Sequence, residues 1–232
     1  MKRAAAWAVH LYTGMGLVAA AGIAVQIVHG GDAAFRLAFA LMAVATLIDS
    51  TDGWLARRAD VKTHAAGLDG RRLDDIIDFH TYTSLPLLLL WRAGSVGSGQ
   101  EWCLVLAALA SAYGFSQTEA KTEDNFFLGF PSYWNIVAFY VYLLRPPQMA
   151  AAAAVTVLAV LTFVPSRYLY PTQGGPYARF TNAAAAVWTL AVITILVWWQ
   201  DAPPALVWGS LAFPAYYMVA SWAVTLTHRQ KK

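Results

Sequence analysis

Two pairs of aspartates are the residues of this chain whose types and spacing best suit catalysis. Asp49 and Asp52 lie three positions apart, and Asp74 and Asp78 lie four positions apart. Residues at either spacing share one face of an α-helix, so each pair can present both carboxylates to a neighbouring helix. Carboxylate oxygens are the ligands that Mg²⁺ and Mn²⁺ prefer. Two divalent ions would balance the four negative charges, and the pattern therefore predicts a two-metal site for phosphoryl chemistry.

A favourable interaction with a helix dipole would explain only some of the four aspartates. Asp74 lies near the start of an expected helix, where the helix dipole favours an acidic residue. Asp49 and Asp52 lie near the end of another helix, where the dipole disfavours them. Within a bilayer each carboxylate also costs about 2.5–3.5 kcal/mol to insert. The four aspartates therefore need a compensating charge, and divalent cations supply one.

The rest of the chain has the composition of an integral membrane protein. Hydrophobic residues form 59% of the sequence and charged residues 12%, unlike an ordinary soluble domain. Charge-poor runs of about 17–25 residues have the length that a helix needs to cross a bilayer. They predict an all-α, polytopic membrane protein with one domain, 1–232, and about eight transmembrane helices, near 5–28, 33–56, 73–92, 101–119, 131–145, 149–169, 179–200 and 204–227. The fifth run is short and the sixth contains Pro165, so six or seven spans also satisfy the pattern.

Lys and Arg are distributed unevenly between the loops that join these runs. With the N-terminus in the cytoplasm, only Arg36, Arg92 and Arg145 of the sixteen basic residues fall on the outer side. The positive-inside rule therefore predicts that the four aspartates lie at the cytoplasmic face, and an even number of spans places both termini in the cytoplasm. Topology accounts for the basic excess, so nucleic acid is not expected as a partner.

The aspartates belong to a longer pattern, Asp49-x2-Asp52-Gly53-x2-Ala56-Arg57-x12-Gly70-x3-Asp74-x3-Asp78. This pattern resembles the signature of the CDP-alcohol phosphotransferases, membrane enzymes that transfer a phosphoalkyl group from a CDP-linked donor to an alcohol and release CMP. All eight signature residues are present. The spacer between the arginine and the second glycine is twelve residues here, whereas about eight are usual in the family. A surface loop absorbs four extra residues at little entropic cost.

The longer spacer resembles one branch of that family, the bacterial phosphatidylcholine synthases, which use CDP-diacylglycerol and free choline. Three stretches resemble the same branch: Ile48–Arg58, Tyr113–Asn135 and Phe163–Pro171. The resemblance implies a six-helix core with two further helices, direct displacement at phosphorus without a covalent enzyme intermediate, and a location in the bacterial inner membrane. It also implies membrane lipid as the surroundings and a homodimer as the assembly.

The same resemblance implies roles for the signature residues. Asp49, Asp52 and Asp74 would hold metal, and Asp78 would share the second ion and act as the general base. The CDP-diacylglycerol site would be formed by Asp49, Asp52, Gly53, Ala56, Arg57 and Gly70. Two of these roles agree with elementary chemistry. The small residues leave room for a ligand near the backbone, and Arg57 can bind a phosphate through two parallel hydrogen bonds.

Choline makes a separate demand on the site. Its quaternary ammonium cannot donate a hydrogen bond, so binding sites enclose it with aromatic faces, helped by a carboxylate. The candidates near the cytoplasmic side are Tyr82, Tyr113, Glu119, Tyr133 and Trp134.

Two other functions also fit the residues. Few cations lie outside the signature loop, which disfavours a phosphorylated acceptor but leaves serine and inositol beside choline. A cation transporter could also use membrane-embedded aspartates, although transporter sites usually lie near the bilayer midplane rather than at one face.

Overall fold

The computed structural model describes residues 2–117, 126–170 and 177–229. The chain forms two compact units. Unit 1 contains Met1–Leu104 and Tyr133–Ala152, and unit 2 contains Val105–Ser132 and Ala153–Lys232. The single domain, 1–232, remains a prediction.

Helices dominate both units. They are α1 (Lys2–His29), α2 (Asp32–Arg58), α3 (Val61–His64), α4 (Gly70–Asp78), α5 (Leu85–Arg92), α6 (Trp102–Ser116), α7 (Trp134–Leu144), α8 (Gln148–Phe163), α9 (Ala178–Trp198), α10 (Pro204–Ser210) and α11 (Ala212–Arg229). A π-helix, Phe79–Ser84, joins α4 to α5, and a short 3₁₀ turn, Trp199–Asp201, follows α9.

The predicted class, an all-α membrane protein, is confirmed. Among the described residues, three helices are long and apolar enough to cross a bilayer: Lys2–His29, Asp32–Arg58 and Ala178–Asp201. Shorter apolar helices are Trp102–Ser116, Trp134–Leu144 and Gln148–Phe163. Many large apolar side chains point outwards, among them Leu11 and Val28, which are 70% and 73% exposed. The number of spans and the side on which the termini lie remain predictions.

The sixth predicted run, 149–169, is wrong at its C-terminal end. Helix α8 ends at Phe163, two residues before Pro165. The residue before a proline is disfavoured in the α conformation, which accounts for the early end. In unit 2 the chain continues into the strand β2 (Arg167–Leu169), which pairs antiparallel with β1 (Phe126–Leu128). Helix α11 holds this strand through Ser221, whose Oγ accepts the Leu169 N–H at 3.1 Å.

In unit 1, helix α1 packs along α2 and α4 through a stripe of mostly small residues. The buried positions recur every three or four residues: His10, Thr13, Gly16, Ala19, Ala20, Ile23 and Ile27. Gly16 is required for the approach of α4, because a Cβ there would lie 2.7 Å from Ile77 Cγ2. Gly30 and Gly31, with φ of 69° and 85°, make the tight turn into α2.

The third predicted run, 73–92, forms a continuous but irregular helix. Immediately after Asp78 the hydrogen bonding changes to the π pattern, and the Leu85 N–H donates to the carbonyl of His80, five residues earlier. Pro86 follows in the first turn of α5. Proline lacks an N–H and its ring crowds the preceding turn, so a wider local helix accommodates it.

Candidate metal centre

Helices α2 and α4 bring three of the four aspartates together. Asp49, Asp74 and Asp78 each offer one carboxylate oxygen, and these three oxygens lie within 4.8 Å of one another. All three side chains are half-buried. Asp49 lies on the C-terminal part of α2, whereas Asp74 and Asp78 share one face of α4. The predicted meeting of the two carboxylate-bearing helices is therefore confirmed for these three residues.

Asp52 lies outside this group of three and is more deeply buried, with 7% of its surface exposed. Its Oδ2 accepts a hydrogen bond of 2.7 Å from the Thr13 hydroxyl of α1. A neighbouring hydrogen bond of 2.8 Å joins Tyr12 to Thr51 across the same pair of helices. Because a buried carboxylate without partners is costly, the Thr13 bond fixes Asp52 in its position. The metal-binding role of Asp52 remains a prediction.

Tyr82 is attached directly to the carboxylate cluster. Its hydroxyl donates a hydrogen bond of 2.7 Å to Asp49 Oδ2, and the residue is only 8% exposed. The Tyr82 ring lies 6.4 Å from the Tyr133 ring, measured between centroids. The sequence indicated Tyr82 as a choline contact but did not indicate its bond to Asp49. The relevant signal is its position four residues after Asp78, one helical turn along the same segment.

The other predicted choline contacts have different surroundings. Tyr133 is half-buried in unit 1, and its neighbour Trp134 is fully buried. Tyr113 belongs to unit 2, where its ring lies 5.0 Å from that of Phe163. Glu119 lies outside the described residues. Choline binding by any of these residues remains a prediction.

The signature residues other than aspartate occupy the ends of α2 and α4. Arg57 is exposed and folds back over Gly53, where an added Cβ would lie 3.5 Å from its Nη1. Arg57 makes no salt bridge within the described part of the chain, so its guanidinium is available to an anion. Ala56 is half-buried on the same helix.

The space beside Gly70 is filled by the side chain of His10. A Cβ added there would lie 2.9 Å from Cε1 of His10 on α1, so the imidazole occupies the space that the small residue leaves. Gly70 therefore helps to place His10, and its part in a CDP-diacylglycerol site remains a prediction, as do those of Gly53, Ala56 and Arg57. The sequence did not indicate this contact, since the five histidines of the chain show no spacing of their own.

The donor set fits a hard divalent cation. It consists of carboxylate oxygens from two helices, half-buried and held in part by the Tyr82 hydroxyl. Hydrogen bonds of this kind orient metal ligands and tune their basicity. Nearby ion pairs on α4, Arg71–Asp75 at 4.0 Å and Arg72–Asp69 at 3.3 Å, are exposed and contribute little.

The Tyr82 bond leads to a first prediction. Tyr82→Phe removes the hydroxyl that orients Asp49, so the Mn²⁺ concentration for half-maximal activity should rise by about 10- to 100-fold. A manganese titration of the purified enzyme measures this concentration. Tyr142→Phe is the matched control, because it removes the 2.8 Å bond from Tyr142 to Asp32 at the other end of α2. An equal manganese requirement in both variants would show that Tyr82 does not position a metal ligand.

Comparison with known proteins agrees with the site. Residues 10–164 match the family described as CDP-alcohol phosphatidyltransferase. The chain is 32% identical to the phosphatidylcholine synthase of Legionella pneumophila over 94% of this chain and 88% of that protein. It is also 32% identical to the phosphatidylcholine synthase of Pseudomonas aeruginosa, over 94% of this chain and 91% of that protein. The enzyme of that name from Borreliella burgdorferi is 31% identical, over 76% and 74% respectively.

Proposed function

The chain belongs to the CDP-alcohol phosphatidyltransferase family, and from this premise we propose that it is an enzyme that makes phosphatidylcholine from CDP-diacylglycerol and choline. The observation that carries the proposal is the cluster of Asp49, Asp74 and Asp78 on the signature of this family. The similarity to several phosphatidylcholine synthases over most of the chain supports choline as the acceptor. Phosphatidyl transfer is the activity, and CMP is the second product.

The reaction is a direct displacement at the phosphorus that carries the diacylglycerol. The choline oxygen forms a bond to this phosphorus, and the bond from phosphorus to the oxygen shared with CMP breaks. CMP leaves with that bridging oxygen, and the hydroxyl proton of choline passes to Asp78. A carboxylate surrounded by other carboxylates can accept a proton, which suits Asp78 to the role of general base.

We assign the divalent ions, two Mn²⁺ or Mg²⁺, to Asp49, Asp74 and Asp78, with Asp52 as a further ligand. When bound there, they supply charge neutralisation and polarisation of the phosphate oxygens. Arg57 binds a phosphate oxygen of the donor, because its guanidinium is exposed and without an ion pair to any described residue. Gly53 and Ala56 have small side chains, which leave room for the donor phosphate beside α2.

Choline binds beside the carboxylates, against the aromatic faces of Tyr82 and Tyr133. The two rings lie 6.4 Å apart, and Tyr82 contacts Asp49. This arrangement offers a quaternary ammonium both an aromatic face and a nearby negative charge. Tyr113, Glu119 and Trp134 are further candidates for choline contacts, on the ground of the sequence alone.

The membrane arrangement is part of the proposal. Eight spans with both termini in the cytoplasm place the aspartates at the cytoplasmic face of a bacterial inner membrane, where the soluble acceptor is available. The excess of Lys and Arg in the inner loops supports this orientation. The enzyme acts as a homodimer within the lipid bilayer.

An acceptor panel tests the proposal. The purified protein receives CDP-diacylglycerol and Mn²⁺ together with choline, serine, inositol or glycerol 3-phosphate, and lipid product and CMP are quantified for each. Phosphatidylcholine in the choline reaction is the expected result. Product with serine or inositol alone would identify another acceptor for the same chemistry. Cation flux in proteoliposomes without any lipid product would instead support the transporter.

A further inference from the structure

His10 of α1 is a buried polar side chain that no described residue satisfies. It is 7% exposed, and its Nε2 has no hydrogen-bond partner within the described residues. The only other described side-chain atom in this condition is the hydroxyl of Thr83. Buried polar atoms are nearly always paired, so each exception calls for a partner such as a ligand or a water molecule.

Two neighbours of His10 relate it to the carboxylates, one on α1 and one on α4. On α1 it precedes Thr13, whose hydroxyl bonds Asp52. Across the interface its ring contacts Gly70, which precedes Asp74 by one turn of α4. One turn corresponds to about 5.4 Å along a helix axis. The imidazole therefore lies about one turn before Asp74 along α4, at the end of that helix where the loop from α2 arrives.

The structure of CDP-diacylglycerol determines which part of the donor lies towards the loop between α2 and α4. Its reacting phosphorus must be at the carboxylates, and its two acyl chains must extend into the apolar part of the membrane. The nucleotide is polar and must extend the other way, towards the loop. From this we propose that Nε2 of His10 forms a hydrogen bond to the nucleotide of the donor. This inference rests on the proposed function.

An open cavity lies beside Trp7, the aromatic neighbour of His10, and His10 itself does not line it. Trp7 meets the His10 ring edge-on, with centroids 6.0 Å apart. Trp7 also lines an open cavity of about 400 Å³ with Arg3 and residues 63–67. Ligand sites typically have about 300–1,000 Å³, so this cavity is large enough to admit part of a nucleotide. Residues 63–67 belong to the twelve-residue spacer, so the spacer forms one wall of this cavity.

Binding of CMP to the purified full-length protein in detergent tests the contact by calorimetry. His10→Leu fills the space without a hydrogen bond and should weaken CMP binding about tenfold. His10→Gln places a nitrogen near the position of Nε2 and should stay within about threefold of the original. Thr83→Val removes the other unpartnered atom and should leave CMP affinity unchanged. In turnover assays His10→Leu should raise KM for CDP-diacylglycerol and leave KM for choline unchanged.

Inorganic pyrophosphate as a second ligand locates the contact on the nucleotide. A parallel loss of pyrophosphate binding assigns the bond to a phosphate, whereas a loss confined to CMP assigns it to the nucleoside. Unchanged CMP binding by a folded His10→Leu protein would overturn the inference and leave Nε2 to a water molecule. If His10→Leu does not fold, His10→Asn replaces it, since asparagine reaches only the position of Nδ1. Equal CMP affinity in the Gln and Asn variants would then overturn it.

The outcome is separable from that of the proposed function. CMP binding requires no acceptor, so a His10-dependent affinity stands even if the acceptor panel shows no product with choline. Conversely, choline-dependent synthesis with unchanged CMP binding in His10→Leu would leave the proposed function intact and remove only the nucleotide contact.

Discussion

Asp78→Asn is expected to lower turnover by about 1,000-fold or more while the protein still folds and binds CDP-diacylglycerol. General-base catalysis alone contributes about 10²–10⁴-fold, and the substitution also removes a charge from the carboxylate cluster. Asparagine has nearly the same volume as aspartate, so the packing of α4 should be retained. CMP release with saturating choline measures turnover, and thermal unfolding in detergent measures stability.

Asp75→Asn is the matched control for this prediction. Asp75 lies on the same short helix, three residues before Asp78, and its nearest described cation is Arg71 at 4.0 Å on the exposed side. Exposed ion pairs contribute about 0–1 kcal/mol, so this variant should keep turnover within about twofold. If Asp78→Asn retained the turnover of Asp75→Asn, the assignment of Asp78 as the base would be wrong.

Removal of divalent cations is expected to abolish activity reversibly. Several kcal/mol of transition-state stabilisation depend on such ions in two-metal sites, so a chelator should reduce turnover by about 1,000-fold or more. Added Mn²⁺ or Mg²⁺ should restore it. Ca²⁺ should restore less, because it prefers longer bonds and more ligands than a compact octahedral site provides. Turnover is measured after dialysis and again after each metal is added.

Replacement of one clustered carboxylate by an amide distinguishes metal binding at this site from a general effect of salt on activity. Asp74→Asn removes one of the three clustered carboxylates and should raise the Mn²⁺ requirement well above that of the original enzyme. Asp60→Asn is the control, because Asp60 is exposed in the loop and has a positive φ of 45° that asparagine also tolerates. Full activity after exhaustive chelation would rule out the metal site.

The sequence predicted the α4 half of the carboxylate cluster because its cause is local. Helical periodicity places Asp74 and Asp78 on one face, and the apolar runs on either side restrict where that face can lie. Run length likewise predicted the long helices α1, α2 and α9, but it did not predict the division of the run 204–227 into α10 and α11. The early end of α8 was also predictable, since Pro165 marks it.

The contacts made by α1 were not predictable from the sequence. The Thr13 bond to Asp52 and the His10 contact with Gly70 depend on how α1 rotates and slides against two other helices. Nothing in the local pattern of α1 determines that choice. The π-helix after Asp78 has a sequence signal in Pro86, but proline indicates only that the helix is distorted, and not the form of the distortion.

The aromatic residues that bind choline were likewise not predictable from the sequence. The chain is 14% aromatic, so composition cannot separate a binding ring from a packed one. The structure distinguishes them in part: Tyr82 lies against Asp49, whereas Trp134 is fully buried among other side chains. A pocket for a quaternary ammonium is a property of several elements together, and no spacing along the chain encodes it.

The yield of phosphatidylcholine per CMP released, measured with choline as the sole acceptor, tests the central claim most directly. Purified enzyme, CDP-diacylglycerol and Mn²⁺ should give one phosphatidylcholine for each CMP, and Asp78→Asn should give neither. CMP release that is independent of choline, or lipid product formed only with another acceptor, would contradict the assignment of choline as the acceptor.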